Sequence, residues 1–195
     1  MHYSRMIYLD VMAVCWLVFV LYWAISSTNV KKDIIRCSSI LVSIGLRILI
    51  AFAIIMILRL PVTRQLLRQY ANPSLINPTI RAIGNALCAV GIAFAIWARI
   101  NLGANWSGRP ATKESHELVT SGPYRFVRHP IYFGMLLSMV GTSLVIGIAG
   151  LLVLLGFGSV VIYRIGVEER LMVQLFADKY LAYKKRTKAI IPFIV

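Results

Sequence analysis

The chain has 195 residues, 59% of them hydrophobic, a mean hydropathy of +0.77 and a formal net charge of +14. Its apolar residues fall in blocks near the roughly 20 residues that cross a bilayer, which excludes an ordinary soluble domain of this length. No basic run is interleaved with aromatics as in a nucleic-acid module, so the positive charge reads as membrane topology and attraction to anionic lipid.

Five spans are predicted, at residues 6–26, 38–60, 80–100, 130–147 and 149–166. The first is too long for a signal-peptide core and no small-residue cleavage site follows it. Asp10 and Arg47 are the ionisable residues within the early spans: Asp10 reads as interfacial, and Arg47 as snorkelling or paired along its helix. Residues 60–79 read as a loop with a short amphipathic piece, because Pro61, Pro73 and Pro78 break any continuous helix. Only the uncharged VIGIAG separates the last two spans, which predicts a tight helical hairpin. Residues 167–186 carry Leu171, Leu175, Phe176, Tyr180 and Tyr183 at helical spacing, the pattern of an amphipathic helix at a membrane surface or against a loop. Cys15, Cys37 and Cys88 are scattered and odd in number, and read as small apolar residues, not a disulfide or metal set.

With five spans the loops alternate sides. Most of the 21 lysines and arginines then share one side: Lys31, Lys32 and Arg36, the 99–128 group, and everything from Arg164 onward. The positive-inside bias puts that side, including the 101–129 loop and the C-terminus, in the cytosol and the N-terminus opposite. Arg59, Arg64, Arg68 and Arg81 argue the other way.

Chemistry concentrates in the second half, where Glu114, Glu117, Glu168, Glu169 and Asp178 all fall on the expected cytosolic face, as do His116 and His129. The stretch TSGPYRFVRHPIYFG, residues 120–134, sets two arginines, a histidine and two tyrosines at the doorway of an apolar run. Pro130 suits a first helical turn, which leaves that turn's free amides facing the loop as an anion site. Gly122 and Pro123 turn the loop back over it, and Tyr124 and Tyr132 supply flat walls. Arg164 and Glu168 share a helix face at the other end of the hairpin, which returns them to the same membrane side. His129, Tyr132, Arg164 and Glu168 are therefore expected to converge. Taken singly, each has a plainer role: a helix cap for His129, interfacial belt positions for Tyr124 and Tyr132, a surface ion pair for Arg164 and Glu168, an exposed loop position for His116.

The run HELVTSGPYRFVRHPIYFG, residues 116–134, resembles the signature of the isoprenylcysteine carboxyl methyltransferase family, within a wider group of membrane phospholipid methyltransferases. Arg164, Glu168 and Glu169 match that family's R-x-x-x-E-E element. Phe176, Tyr180, Tyr183, Thr187 and the Ile191–Pro192 pair match its closing helix and tail, and NLGANWSG resembles its N-W/F segment. The resemblance covers about the C-terminal half. It implies an all-α integral membrane enzyme of about five transmembrane helices, with a C-terminal helical hairpin, a cytosolic cofactor loop and an amphipathic C-terminal helix. Residues 1–100 would supply about three spans and residues 101–195 the catalytic region.

The implied cofactor is S-adenosylmethionine, held without a Rossmann domain. By position its site would be His116, Glu117, Leu118 and Val119, then Tyr124, then His129, Pro130, Ile131 and Tyr132, with Glu168. Arg164 matches the substrate-facing arginine, and Arg164 and Glu168 together would carry catalysis. Arg109 stands where eukaryotic members place a glutamine near the cofactor and enters as a further candidate. The implied acceptor is a prenylated-cysteine carboxylate, which needs no general base. A phospholipid amine or a thiol would need one, with His129 or Glu168 nearest. The competing readings are an NADPH-dependent membrane reductase, which would want more basic residues and spans, and a non-enzymatic membrane scaffold. No metal set is expected, because His116 and His129 are thirteen apart without a third ligand at helical spacing.

Overall fold

The computed structural model describes residues 2–28, 33–36, 77–106, 111–113 and 117–191. Helix α1 runs His2–Ser26, α2 Pro78–Leu102, α3 Pro130–Ile146 and α4 Ile148–Arg186. Four of the five expected spans coincide with these helices. The span expected at 38–60, with Arg47, lies outside the described residues, and Asp10 sits exposed on α1. Strands β1 (Asp33–Arg36) and β2 (Ala111–Lys113) form a small antiparallel pair. Three of the helices are long and apolar enough to cross a membrane and α3 is a shorter apolar one, as expected of an all-α integral membrane protein.

The helix ends follow their residues. Asn77 caps α2 by accepting the Thr79 amide at 2.8 Å, and Pro78 occupies the first turn, where no amide partner is needed. Gly147 closes the hairpin between α3 and α4 at φ 76, a backbone state that a β-carbon disfavours. The expected hairpin therefore turns within VIGIAG.

In hydrocarbon, helices gain little from hiding apolar surface and associate through close packing of small residues instead. The α2–α3 pair does this. Gly84, Cys88, Gly91 and Ala95 of α2 face Gly134, Ser138, Gly141 and Val145 of α3. A β-carbon on Gly134 would stand 2.6 Å from the Gly91 carbonyl oxygen, so the two backbones touch. Helix α1 is apolar all round, yet Met12, Cys15, Trp16, Phe19 and Trp23 form one helical stripe packed on Cys88, Ile92 and Ala95. Phe19 stacks on Trp23 at 4.4 Å and meets Trp16 edge-on at 5.6 Å.

Helix α4 differs from the expected division into a span and a surface helix starting near residue 167: the helical backbone runs on from the span through Phe176 and is broken only at Ala177, where φ is 42 and ψ is -120. At 1.5 Å per residue the stretch before Ala177 is about 43 Å long, longer than the roughly 30 Å of hydrocarbon. Its first half is apolar, and its charged residues begin at Arg164.

Candidate functional site

The site forms where α3 begins and α4 leaves its apolar half. Gly122, at φ 58, opens a 3₁₀ turn over Gly122–Arg125 that buries Pro123 and Tyr124. Burial holds the Tyr124 phenol above its ordinary range, so that side chain is neutral. The Tyr183 hydroxyl donates to the Tyr124 carbonyl at 2.5 Å and locks the turn to α4. The Arg128 and His129 amides donate to the Lys188 and Ala189 carbonyls at 2.8 and 2.9 Å, and Val127 bridges Lys188. The residues after α4 thus strap the RHP segment in place.

His129 is the N-cap of α3, but its side chain makes no capping bond. The imidazole, 9% exposed, lies between two carboxylates: Nδ1 is 3.7 Å from Glu168 and Nε2 is 3.7 Å from Glu169. The ring stacks beside Tyr132 at 5.8 Å. Tyr132 donates its hydroxyl to Glu168 at 2.6 Å, and Arg164 donates to the same carboxylate oxygen at 3.2 Å. The Arg164 guanidinium also lies over the Tyr132 ring, 5.8 Å from its centre. The expected convergence of His129, Tyr132, Arg164 and Glu168 is what the hairpin builds.

The two adjacent glutamates face different ways, as neighbours on a helix must. Glu169 turns to the strap, where Arg128 donates to it at 2.8 Å and Lys184 pairs with it. Arg128 also donates to the Thr187 and Lys184 carbonyls. Glu168 turns to a cavity of about 410 Å³. That volume is in the range of small-molecule sites. Glu117, Leu118, Val119, Tyr124, His129, Ile131, Tyr132, Arg164 and Glu168 of the expected set line it. Pro130 does not: it is buried in the first turn of α3. His116 and Arg109 lie outside the described residues.

Sequence reasoning missed a whole wall. Trp23 from the end of α1 and Leu102, Asn105 and Trp106 from the end of α2 line the cavity. Arg99, 3% exposed, joins these ends by donating to the Ser26 and Gly103 carbonyls, each at 2.7 Å. Its guanidinium lies 4.7 Å from the Trp106 ring centre, and Trp106 meets Trp23 edge-on at 6.2 Å. The signals were present in the helical stripe of α1 and in NLGANWSG, but neither says which cavity the rings face. Arg128 was noticed only as part of a basic stretch.

The cavity is amphipathic. One end carries Glu117, Arg128, His129, Arg164 and Glu168; Met135, Phe157, Val160 and Val161 form the other. Asn105 Oδ1, in a lining residue, is buried without a hydrogen-bond partner, and His129 Nε2 reaches Glu169 only at 3.7 Å. Among the described residues no cluster has metal-binding composition. The donor set suits a zwitterionic ligand with an aromatic ring: carboxylates for an ammonium, guanidinia for a carboxylate, and ring faces for a base.

Fold and site together define a helical membrane protein with an amphipathic cavity where its polar loop meets its apolar hairpin. Residues 79–179 match the family described as phospholipid methyltransferase, and the chain belongs to that family. It is similar to the protein-S-isoprenylcysteine O-methyltransferase of Schizosaccharomyces pombe, 36% identical over 101 residues that cover 50% of this chain and 43% of that protein. The Dictyostelium discoideum protein of the same name is 33% identical over 132 residues, covering 64% and 54%. The chain thus spans about half the length of the curated relatives it matches. The fold is shared with a solved eukaryotic intramembrane Ras methyltransferase, isoprenylcysteine carboxyl methyltransferase, at TM-score 0.61 and 23% identity over 96% of this chain and 65% of the other.

Proposed function

We propose that this protein is an S-adenosylmethionine-dependent membrane methyltransferase that methylates the carboxylate of a lipophilic, prenylcysteine-like acceptor. The carrying observation is that one cavity has both a charged end and an apolar end. Such a cavity suits a reaction between a polar methyl donor and an amphiphile. The likeness to the named methyltransferases supports the same reading.

The buried Asn105 Oδ1, which has no hydrogen-bond partner, together with the donor set, fits the cofactor. When bound, S-adenosylmethionine supplies an already activated methyl group, which leaves the protein the work of positioning and desolvation. Glu168 holds the cofactor's ammonium, oriented for it by Tyr132. Tyr124, Ile131 and the 117–119 segment, with His116 and Arg109 from the loop, enclose the rest, and Pro130 starts the helix whose amides face it. Arg164 orients the acceptor carboxylate. Leu102, Trp106 and Trp23 exclude water from above. Catalysis belongs to residues 101–195, and residues 1–100 supply spans and the Trp23 wall. The charged end faces the cytosol with the C-terminus, following the charge asymmetry, and the acceptor enters from the bilayer.

A second reading, an amine acceptor as in a phospholipid headgroup, is favoured by His129 and Glu168, two cavity-lining groups able to take a proton. The test is transfer of labelled methyl from S-adenosylmethionine to N-acetyl-S-farnesylcysteine and, separately, to phosphatidylethanolamine. Base-labile methyl ester on the first alone supports the carboxylate reading. Label on phosphatidylethanolamine alone replaces it with the amine reading.

A further inference from the structure

A second cavity lies deeper in the helices, about 190 Å³ in volume. Trp16 of α1, Met139, Thr142 and Ile146 of α3, and Gly150 and Val153 of α4 line it. Its position relative to the first is fixed by helical register. Met135 and Met139 are one turn apart on α3, Phe157 and Val153 one turn apart on α4, and Trp23 and Trp16 two turns apart on α1. The first member of each pair lines the candidate site and the second lines the deeper cavity. The two therefore stack along one trough between the same three helix faces. Phe19, between the two tryptophans, packs into the cluster with Cys88, Ile92 and Ala95 of α2.

Nothing in the deeper cavity asks for water. Thr142 accepts a hydrogen bond from the Trp16 indole at 3.0 Å and donates to the Ser138 carbonyl at 2.9 Å, so each of the two polar side chains has its partner. Apart from Thr142 and the Trp16 indole its lining is apolar, and it opens at the rim beside Val153. Tyr132 to Thr142 is ten residues of α3, about 15 Å along the helix. The Gly147 turn lies just beyond Ile146, at the end of the hairpin away from Tyr132.

We propose that this cavity receives the far end of the acceptor's hydrocarbon tail, so that Ile146 and Val153 set the tail length the enzyme prefers. The inference rests on the acceptor reading above and deepens it. The occupant is the acceptor tail and not a bilayer acyl chain, because the trough runs on from the site. Val153 is 58% exposed and stands at the rim, so a larger side chain there fills the cavity without displacing the core.

Two measurements test it on the full chain in nanodiscs. In the first, kcat/KM is measured for N-acetyl-S-geranyl-, S-farnesyl- and S-geranylgeranylcysteine. Val153→Trp lowers the preference for farnesyl over geranyl at least tenfold, and Ile146→Ala shifts preference towards the longest tail. Equal effects on all three acceptors overturn the proposal. The second needs no methyl transfer: an N-acetyl-S-farnesylcysteine analogue with a diazirine at the tail terminus is photolysed on the protein. Labelling at Met139 and Val153, competed by unlabelled farnesyl compound and moved to Met135 and Phe157 in Val153→Trp, supports the proposal even if no acceptor is methylated; that result would fault only the reaction. Labelling that excess competitor leaves in place, as for a bilayer chain, overturns it.

Discussion

Substituting Gly134 by alanine probes the contact on which the fold depends. The added β-carbon would stand 2.6 Å from the Gly91 carbonyl oxygen, 2.7 Å from the Ala95 nitrogen and 2.9 Å from the Ala95 β-carbon. Non-bonded heavy atoms settle near 3.5–4.0 Å. All three neighbours are backbone or β-carbon atoms, so no side-chain rotation relieves the overlap, and α2 and α3 must separate by about 1 Å. Overpacking of that kind costs about 1–3 kcal/mol. One kcal/mol lowers the melting temperature by about 2–4 °C for a chain of this size. Gly156→Ala is the matched control: nothing lies within 4 Å of its β-carbon. There the helix gains propensity, by up to about 1 kcal/mol. Thermal unfolding in detergent should place Gly134→Ala below wild type and Gly156→Ala at or above it. Because Tyr132 lies half a turn before Gly134, the variant should also weaken ligand binding at the site. A Gly134→Ala protein as stable as the control would refute the close-packed α2–α3 seam.

Arg99→Met removes donors from the Ser26 and Gly103 carbonyls and should cost about 3 kcal/mol by unfolding, with Arg99→Lys recovering less than half, since one ammonium cannot fork to both. Glu169→Gln breaks the Arg128 and Lys184 pairs, and amide exchange at residues 187–190 should accelerate at least tenfold by mass spectrometry while the centre of α3 keeps its protection. Burial raises the Tyr124 phenol above its ordinary value of 10.0, so its contribution to stability is complete below pH 10 and is lost as pH climbs beyond it; Tyr124→Phe should make the alkaline decline in melting temperature shallower.

Hydropathy alone marked four of the described helices, because a bilayer demands long apolar runs whatever they pack against. Pro130 and the VIGIAG turn bounded α3, since proline and glycine act locally. The meeting of His129, Tyr132, Arg164 and Glu168 was legible from a four-residue spacing plus a hairpin. The tryptophan wall was not, because the face an all-apolar helix buries is decided by its neighbours; Trp23 faces the cavity only because α1 lies against α2. The continuity of α4 past the membrane edge carried no local signal either. Gly166 does not break a helix on its own, and Ala177, a good helix former, gives no warning of the bend it occupies. Glu169 matched a motif, but its partners Arg128 and Lys184 lie 41 and 15 residues away, and only the tertiary structure brings them round.

The most direct test of the central claim is equilibrium binding of S-adenosylmethionine and its demethylated product to purified protein, with wild type beside Glu168→Ala and His129→Ala and each variant shown to be folded by thermal unfolding. A hydrogen bond to a charged group is worth about 1.5–3 kcal/mol, so Glu168→Ala should weaken affinity roughly tenfold to a hundredfold or more. Saturable wild-type binding, lost or weakened to that extent in both variants, is the predicted result. Folded wild type that binds neither compound, or a folded Glu168→Ala protein that binds them as wild type does, would contradict it.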